Sequence, residues 1–171
     1  MNGPREYFVE PLARRHDRAA FSCGAAALDA YLQRQAAQDL KRRVAAVFVL
    51  ISDGETIAGF YTLSALGILL GELPAEVSRK LPKYPVVPAT LMGRLAVSVD
   101  HRGQGLGEFL LMDALRRAWE HSHSVASFAV VVDGKDEAAV AFYHRYGFIQ
   151  LPETPMRLFL PMATIEKLFR T

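Results

Sequence analysis

Residues 91–119, LMGRLAVSVDHRGQGLGEFLLMDALRRAW, decide how the rest of the chain reads. The segment opens with an apolar run and crosses a basic, glycine-dense turn. It then continues with Leu111, Ala114, Leu115, Ala118 and Trp119 at helical spacing on one side. Strand, loop and helix therefore follow one another. The loop, Arg102-Gly103-Gln104-Gly105-Leu106-Gly107, has the chemistry of an anion cradle. Glycines carry no Cβ, so backbone N–H groups can turn inward against a diphosphate, and the helix behind adds its unpaired N–H groups and positive dipole end. Two nucleotide-binding patterns are excluded. A Walker loop ends in Gly-Lys-Ser/Thr, whereas Gly107 is followed by Glu108 and Phe109. The dinucleotide fingerprint needs an early strand and an acidic residue about 20 positions on, and this loop lies past mid-chain without that βαβ context.

At 171 residues the chain suits a single domain, 1–171, with a real core. Hydrophobic residues make up 51% and charged residues 22%, the balance of a soluble globular protein rather than a disordered or fibrous one. No apolar run approaches the ~20 residues that cross a bilayer, and no signal-peptide h-region opens the chain, so a cytoplasmic protein without a membrane is expected. Cys23 is the sole cysteine, which excludes an internal disulfide and a cysteine-rich metal site. It reads as a small helix-entry residue. The five histidines show no metal spacing beyond His121-Ser122-His123, so no metal is expected and surface positions are assigned to them. A net charge of +2 does not itself mark a nucleic-acid binder. Three basic clusters, Arg14/Arg15/Arg18, Lys41/Arg42/Arg43 and Arg79/Lys80/Lys83, would do so only if they shared a face; singly, each is a solvated surface.

Working outward, residues 7–12 alternate as a first strand, and Phe21-Ser22-Cys23-Gly24 leads into an amphipathic helix. Leu28, Tyr31, Leu32, Gln35 and Ala36 form one stripe of that helix, with Arg34, Gln38 and Lys41 opposite. Residues 44–51 and 56–64 are strand-like and flank Asp53-Gly54, a hairpin signal for adjacent antiparallel strands. Pro74, Pro82, Pro85 and Pro88 break residues 65–89 into a short helix over 74–81 and an extended approach to the central strand. Residues 125–132 are a continuous β-branched run, hence a buried strand. Residues 136–146 read as a helix stopped by Gly147, 148–151 and 156–160 as strands, and the segment from 161 as a short helix.

Two motifs carry a family resemblance. Arg-x-x-Gly-x-Gly after Leu95-Ala96-Val97 closely resembles the acetyl-CoA pyrophosphate loop of the GCN5-related N-acetyltransferase (GNAT) family. Ala141-Phe142-Tyr143-His144-Arg145-Tyr146-Gly147-Phe148 resembles the segment that follows that family's fifth strand; taken alone it reads as core aromatics at helical spacing, and the joint match with the loop upstream is what makes it specific. The resemblance implies an α/β (α+β) GNAT fold: a mixed, mostly antiparallel central sheet flanked by helices, with the acetyl-CoA loop between the fourth strand and the next helix. Phe21-Ser22-Cys23-Gly24, the basic helix end, Leu81-Pro82-Lys83-Tyr84-Pro85 and Gly93-Arg94-Leu95-Ala96-Val97 are similar, over nearly the whole chain, to the GNAT toxins of bacterial toxin–antitoxin pairs.

That resemblance implies an acetyl-CoA-dependent N-acetyltransferase acting on the α-amino group of aminoacyl-tRNA, with a ribbon-helix-helix antitoxin as partner; a homodimer is one assembly open to it. It further implies that Arg102, Gly103, Gln104, Gly105, Leu106 and Gly107 hold the pyrophosphate. Leu95, Ala96, Val97 and Val99 would pair with the pantetheine arm, Phe142 would line the cofactor, and Tyr143 would protonate the departing thiolate. Asp133 stands where many relatives carry Asn, which weakens a cofactor role for that position. The central strand offers Arg94 and Ser98 but no carboxylate as base, which suits an α-amine of pKa about 7.7–8.0 better than a lysine near 10.4. Arg94, Lys41 and Arg42 are the candidates for touching substrate phosphates; Arg94 would otherwise pair with a carboxylate. Two alternatives stay open: acetylation of a small amine, peptide terminus or antibiotic, and a non-catalytic acyl-CoA-binding module.

Overall fold

In a computed structural model of the protein, residues 6–170 are described. Their elements run β1 (Phe8–Pro11), α1 (Ala26–Ala30), a π-helical turn (Tyr31–Gln35), α2 (Ala36–Lys41), β2 (Ala46–Ile51), β3 (Ile57–Leu69), a 3-10 turn (Leu70–Glu72), α3 (Ala75–Ser78) and β4 (Val86–Val97). A second 3-10 turn (Val99–His101) follows, then α4 (Leu106–His121), β5 (Ala129–Asp133), α5 (Glu137–Arg145), β6 (Ile149–Gln150), β7 (Arg157–Pro161) and α6 (Met162–Phe169). The seven strands have the order β1-β2-β3-β4-β5-β7-β6. The β4–β5 pair is parallel, whereas β1–β2, β2–β3, β5–β7 and β6–β7 are antiparallel. Two compact units emerge, the chain up to Ser64 with Gly93–Ala114, and Ala65–Met92 with the chain from Leu115.

In the first unit the hairpin expected at Asp53-Gly54 forms, with Ala46 opposite Leu63 and Leu50 opposite Gly59. Its turn places Gly54 at φ 41°, in the left-handed region that favours glycine. Gly59 is needed for a different reason. A Cβ there would lie 2.8 Å from the Ala96 carbonyl oxygen and 2.8 Å from Leu110 Cδ1, so β3 is held close to its neighbours by the missing side chain. Phe21, Tyr31, Leu32, Ala36, Val47, Val49 and Phe60 fill the core. The amphipathic helix is interrupted where Ala36 N–H bonds the Tyr31 carbonyl five residues back, so α1 and α2 flank one π-turn.

In the second unit Ala129, Val130, Val131 and Val132 are wholly buried between parallel β4 and antiparallel β7, as their unbroken apolar run implied. Ile68, Leu73, Val87, Ala89, Leu151 and Phe159 complete this core. Helix α5 is capped at both ends. The Asp136 carboxylate accepts the Ala139 N–H at 2.8 Å, and Gly147, at φ 93°, turns the chain so that Phe148 N–H reaches the Tyr143 carbonyl.

Several boundaries differ from expectation. β5 starts at Ala129 rather than 125, because Ser124 and Val125 N–H still bond the His121 carbonyl in the turn that ends α4. β3 runs on to Leu69 and β4 begins at Val86, their ends tied by Leu70 N–H to the Pro85 carbonyl. The helix expected over 74–81 is α-helical only at Ala75–Ser78 and tightens into i→i+3 turns up to Leu81. The surface assignment of the histidines fails for two of them. His16 and His101 are buried, and His16 accepts the Ala13 N–H on Nδ1 while Nε2 donates to Glu10 at 2.6 Å. No helix among the described residues is long and apolar enough to cross a membrane.

Candidate functional site

The glycine loop lies in the first unit and joins the Val99–His101 turn to α4. Gly103 and Gly105 adopt φ 78° and 71°, the left-handed conformation that turns successive N–H groups to one side. A Cβ on either glycine would meet nothing within 4 Å, so each faces open space. Backbone N–H groups from Gly103 to Glu108 have no partner among the described residues; Phe109 N–H is the first to close a helical bond, onto the Gly105 carbonyl at 3.1 Å. The result is a concave set of donors at the positive end of the sixteen-residue α4, which fits a diphosphate.

The loop is braced from outside. Tyr7 hydroxyl donates to Gln104 Oε1 at 3.0 Å, Gln104 Nε2 donates to the His101 carbonyl at 3.3 Å, and Leu106 is buried. Arg102 turns away from the cradle: its Nη2 donates to the Cys23 carbonyl at 2.7 Å and sits against Gly24, where a Cβ would collide with it. Its side chain thus fastens the helix entry containing buried Cys23, while its backbone remains in the loop. Leu95, Ala96 and Val97 close β4 beyond Thr90–Met92, where the parallel ladder with β5 ends. Val99 N–H donates to the Ser22 carbonyl at 2.8 Å and Ser98 N–H to the Ala58 carbonyl at 2.8 Å, so Val99 cannot offer its N–H to a pantetheine.

Arg94, on the same strand, makes no hydrogen bond or ion pair with a carboxylate among the described residues, although its charge acts on nearby Asp39. Its guanidinium carbon lies 3.5 Å from the centroid of the Tyr31 ring, a cation–π stack. Tyr31 hydroxyl donates to Asp39 Oδ2 at 2.9 Å, and Gln35 Nε2 donates to Asp39 Oδ1 at 2.9 Å. Burial and the Asp39 hydrogen bond push the Tyr31 phenol up to about 12. The Gln35 hydrogen bond, foremost among several causes, holds the Asp39 carboxyl below its usual range. Lys41 and Arg42 are exposed at the end of α2, where their charge complements the helix dipole. The early basic cluster is engaged locally: Arg15 pairs with Glu10, and Arg18 Nη2 donates to the Ala13 carbonyl.

The second unit carries the aromatic motif on α5. Tyr143 is buried, edge-on to Phe142 at 5.3 Å and tilted against Phe148 at 5.4 Å. A buried tyrosine in a pure packing role normally finds a partner for its hydroxyl. Tyr143 hydroxyl has none among the described residues. Burial, then the Asp133 charge, push its phenol up to about 12, so it keeps its proton at neutral pH. Asp133 itself is held by two bonds from Arg157, at 2.7 and 2.9 Å, and is committed to that pair. Arg79, Lys80 and Lys83 also lie in this unit and are exposed. No group of histidine, cysteine, aspartate or glutamate suited to a metal occurs among the described residues.

The donor-rich cradle at the start of α4 fits a pyrophosphate, and in the second unit the buried tyrosine of α5 keeps a proton at neutral pH. The profile of the acetyltransferase (GNAT) family matches residues 13–148, and the chain belongs to that family, whose acyl donor is acetyl-CoA. Particular relatives cover nearly its full length. It is 37% identical to a probable toxin TacT of Sinorhizobium fredii, over 97% of each chain. It is 34% identical to a tRNA-acetylating toxin of Mycobacterium tuberculosis, over 89% of this chain and 90% of that one. Among solved structures, AtaT complexed with acetyl-methionyl-tRNAfMet superposes with a TM-score of 0.89 at 29% identity, covering 96% of this chain and 99% of AtaT. AtaT has also been solved with its antitoxin AtaR as a complex bound with acetyl-CoA, and as a mutant bound to the C-terminus of AtaR.

Proposed function

We propose that this acetyltransferase is the toxin of a toxin–antitoxin pair and acetylates the α-amino group of aminoacyl-tRNA, which blocks translation. The observation that carries this reading is the end-to-end likeness to relatives named for tRNA acetylation and solved with acetylated, charged tRNA. A cytoplasmic site of action follows from the substrate. An antitoxin partner of the ribbon-helix-helix class and a homodimeric state belong to the same proposal.

Acetyl-CoA supplies a thioester whose carbonyl the amine attacks; a C–N bond forms, the C–S bond breaks, and sulfur leaves as a thiolate. The N–H groups of Gly103 to Glu108 would bind the pyrophosphate. A backbone N–H of the Leu95–Val97 segment would polarise the acetyl carbonyl. Tyr143, loaded with its proton, would deliver it to the thiolate and recover one from solvent. The amine would lose its proton to water, because the Gly93–Val97 segment carries no carboxylate and about 10–20% of an α-amine near pKa 7.7–8.0 is already neutral at pH 7, against less than about 0.1% of a lysine near 10.4.

Inducible expression in bacteria tests the toxin reading. Growth should arrest on induction, Tyr143→Phe should relieve the arrest, and co-expression of the proposed ribbon-helix-helix antitoxin should restore growth. Undisturbed growth with soluble, acetyl-CoA-binding protein would instead favour an acetyltransferase of small amines.

A further inference from the structure

Among the described residues, Arg94 is half-buried with no acceptor for any of its guanidinium N–H groups. A half-buried arginine that only packs would normally direct its N–H groups to carbonyls or carboxylates, since unsatisfied donors are costly. Here the guanidinium carbon lies over the Tyr31 ring at 3.5 Å, and the N–H donors make no hydrogen bond among the described residues. A planar cation held over a ring with its donors unpaired is a preformed receptor for an oxyanion, gripped by two parallel N–H donors.

The Tyr31 ring is fixed with unusual care for a stacking partner. It is buried, lies nearly parallel to Phe60 with 15° between planes, and has its hydroxyl anchored by Asp39, which Gln35 holds in turn. The backbone of Asp39 is tied as well, its carbonyl accepting Val44 N–H at 3.0 Å. Tyr31 and Asp39 are eight residues apart, which in a regular helix puts them about 80° apart around the axis. The π-turn between them contains one extra residue, so the separation acts as seven steps and the two side chains align to within about 20°. The irregular turn is what lets a carboxylate on α2 hold a phenol at the end of α1.

We infer that Tyr31, held by Asp39, is a positioning residue for Arg94, and that the unpaired N–H donors of Arg94 take a phosphodiester oxygen of the charged tRNA. This rests on the functional reading above. A phosphate of acetyl-CoA has the same oxyanion chemistry. The nucleic acid is favoured because exposed Lys41, Arg42 and Arg43 follow directly on Asp39 and Leu40 in the same unit, adding cations that a single phosphate would not need.

The test measures KM for charged tRNA and for acetyl-CoA separately, over a salt series. Arg94→Ala should raise KM for charged tRNA about tenfold, flatten the slope of log KM against log salt by about one, and leave KM for acetyl-CoA unchanged. Arg94→Lys should keep the salt slope but recover only part of the affinity, because a lysine has no fork. Tyr31→Leu should match Arg94→Ala, and the double variant should be no worse than either. Since Tyr31 belongs to the core, Asp39 gives an independent arm: Asp39→Ala should raise KM for charged tRNA, and Asp39→Asn, which still accepts the phenol, should restore it. Additive effects of Tyr31→Leu and Arg94→Ala, or equal loss in Asp39→Ala and Asp39→Asn, would refute the positioning role. A rise confined to KM for acetyl-CoA would move the phosphate to the cofactor and also overturn the inference. Wild-type protein inactive on every charged tRNA would refute the functional reading itself.

Discussion

Replacing Gly105 by alanine separates the two duties of the loop, holding a left-handed backbone and leaving room for a phosphate. At φ 71° a Cβ costs about 1–2 kcal/mol of strain, which for a chain of this size lowers Tm by roughly 2–8 °C. The added methyl meets nothing within 4 Å, so it clashes with no part of the protein and projects into open space at the cradle. A diphosphate displaced far enough to lose one charge-assisted bond forfeits about 1.5–3 kcal/mol, or roughly 10- to 150-fold in acetyl-CoA affinity. Gly54→Ala is the control, because Gly54 also has positive φ and an empty surround but sits in the β2–β3 turn. Calorimetric titration with acetyl-CoA, beside thermal melts, should show both variants destabilised and only Gly105→Ala weakened in binding. Undiminished acetyl-CoA affinity in folded Gly105→Ala would refute the cradle.

Tyr143→Phe should lower kcat by about 10²–10⁴ with unchanged acetyl-CoA affinity, and the wild-type pH–rate profile should show no alkaline loss from Tyr143 below pH 10, given a phenol near 12; full turnover in the variant would return Tyr143 to packing. Burial, then the Arg15 and Arg18 charges, hold the His16 pKa below its unfolded value of about 6.5, so its contribution is complete above that pH and is lost as pH falls from there towards the folded-state value. The stability difference between wild type and His16→Gln should therefore be constant above pH 6.5 and shrink below it; a difference that grows on acidification would contradict the buried neutral imidazole. Gly59→Ala should destabilise by about 1–3 kcal/mol in chemical denaturation through its contacts with the Ala96 carbonyl and Leu110, and an unchanged midpoint would show that β3 can move aside.

What the sequence made legible were features set by local chemistry. The Asp53-Gly54 hairpin, the β-branched run of β5 and the glycine stop after α5 each need only a few neighbouring residues to be specified, and each is found. The loop at Gly103 to Gly107 was equally readable, since open space and positive φ at Gly103 and Gly105 are what glycine there implies. Features made by distant residues were not. Nothing in the stripe Leu28, Tyr31, Leu32, Gln35, Ala36 signals a π-turn, because the same spacing suits a regular helix. The partner of Arg94 was expected to be a carboxylate or a substrate, whereas its guanidinium lies over the ring of Tyr31, 63 positions earlier. Burial of His16 and His101 likewise depends on tertiary placement, as does the turning of Arg102 towards Cys23.

The most direct measurement is transfer of label from acetyl-CoA to RNA by the purified protein. Charged tRNA should be labelled and deacylated tRNA should not, the label should be released as an N-acetyl amino acid on mild base hydrolysis, and the reaction should weaken steeply as salt rises, because each neutralised phosphate releases counterions. Absence of label on tRNA charged with any of the amino acids, together with acetylation of a polyamine or peptide at low ionic strength, would contradict the account.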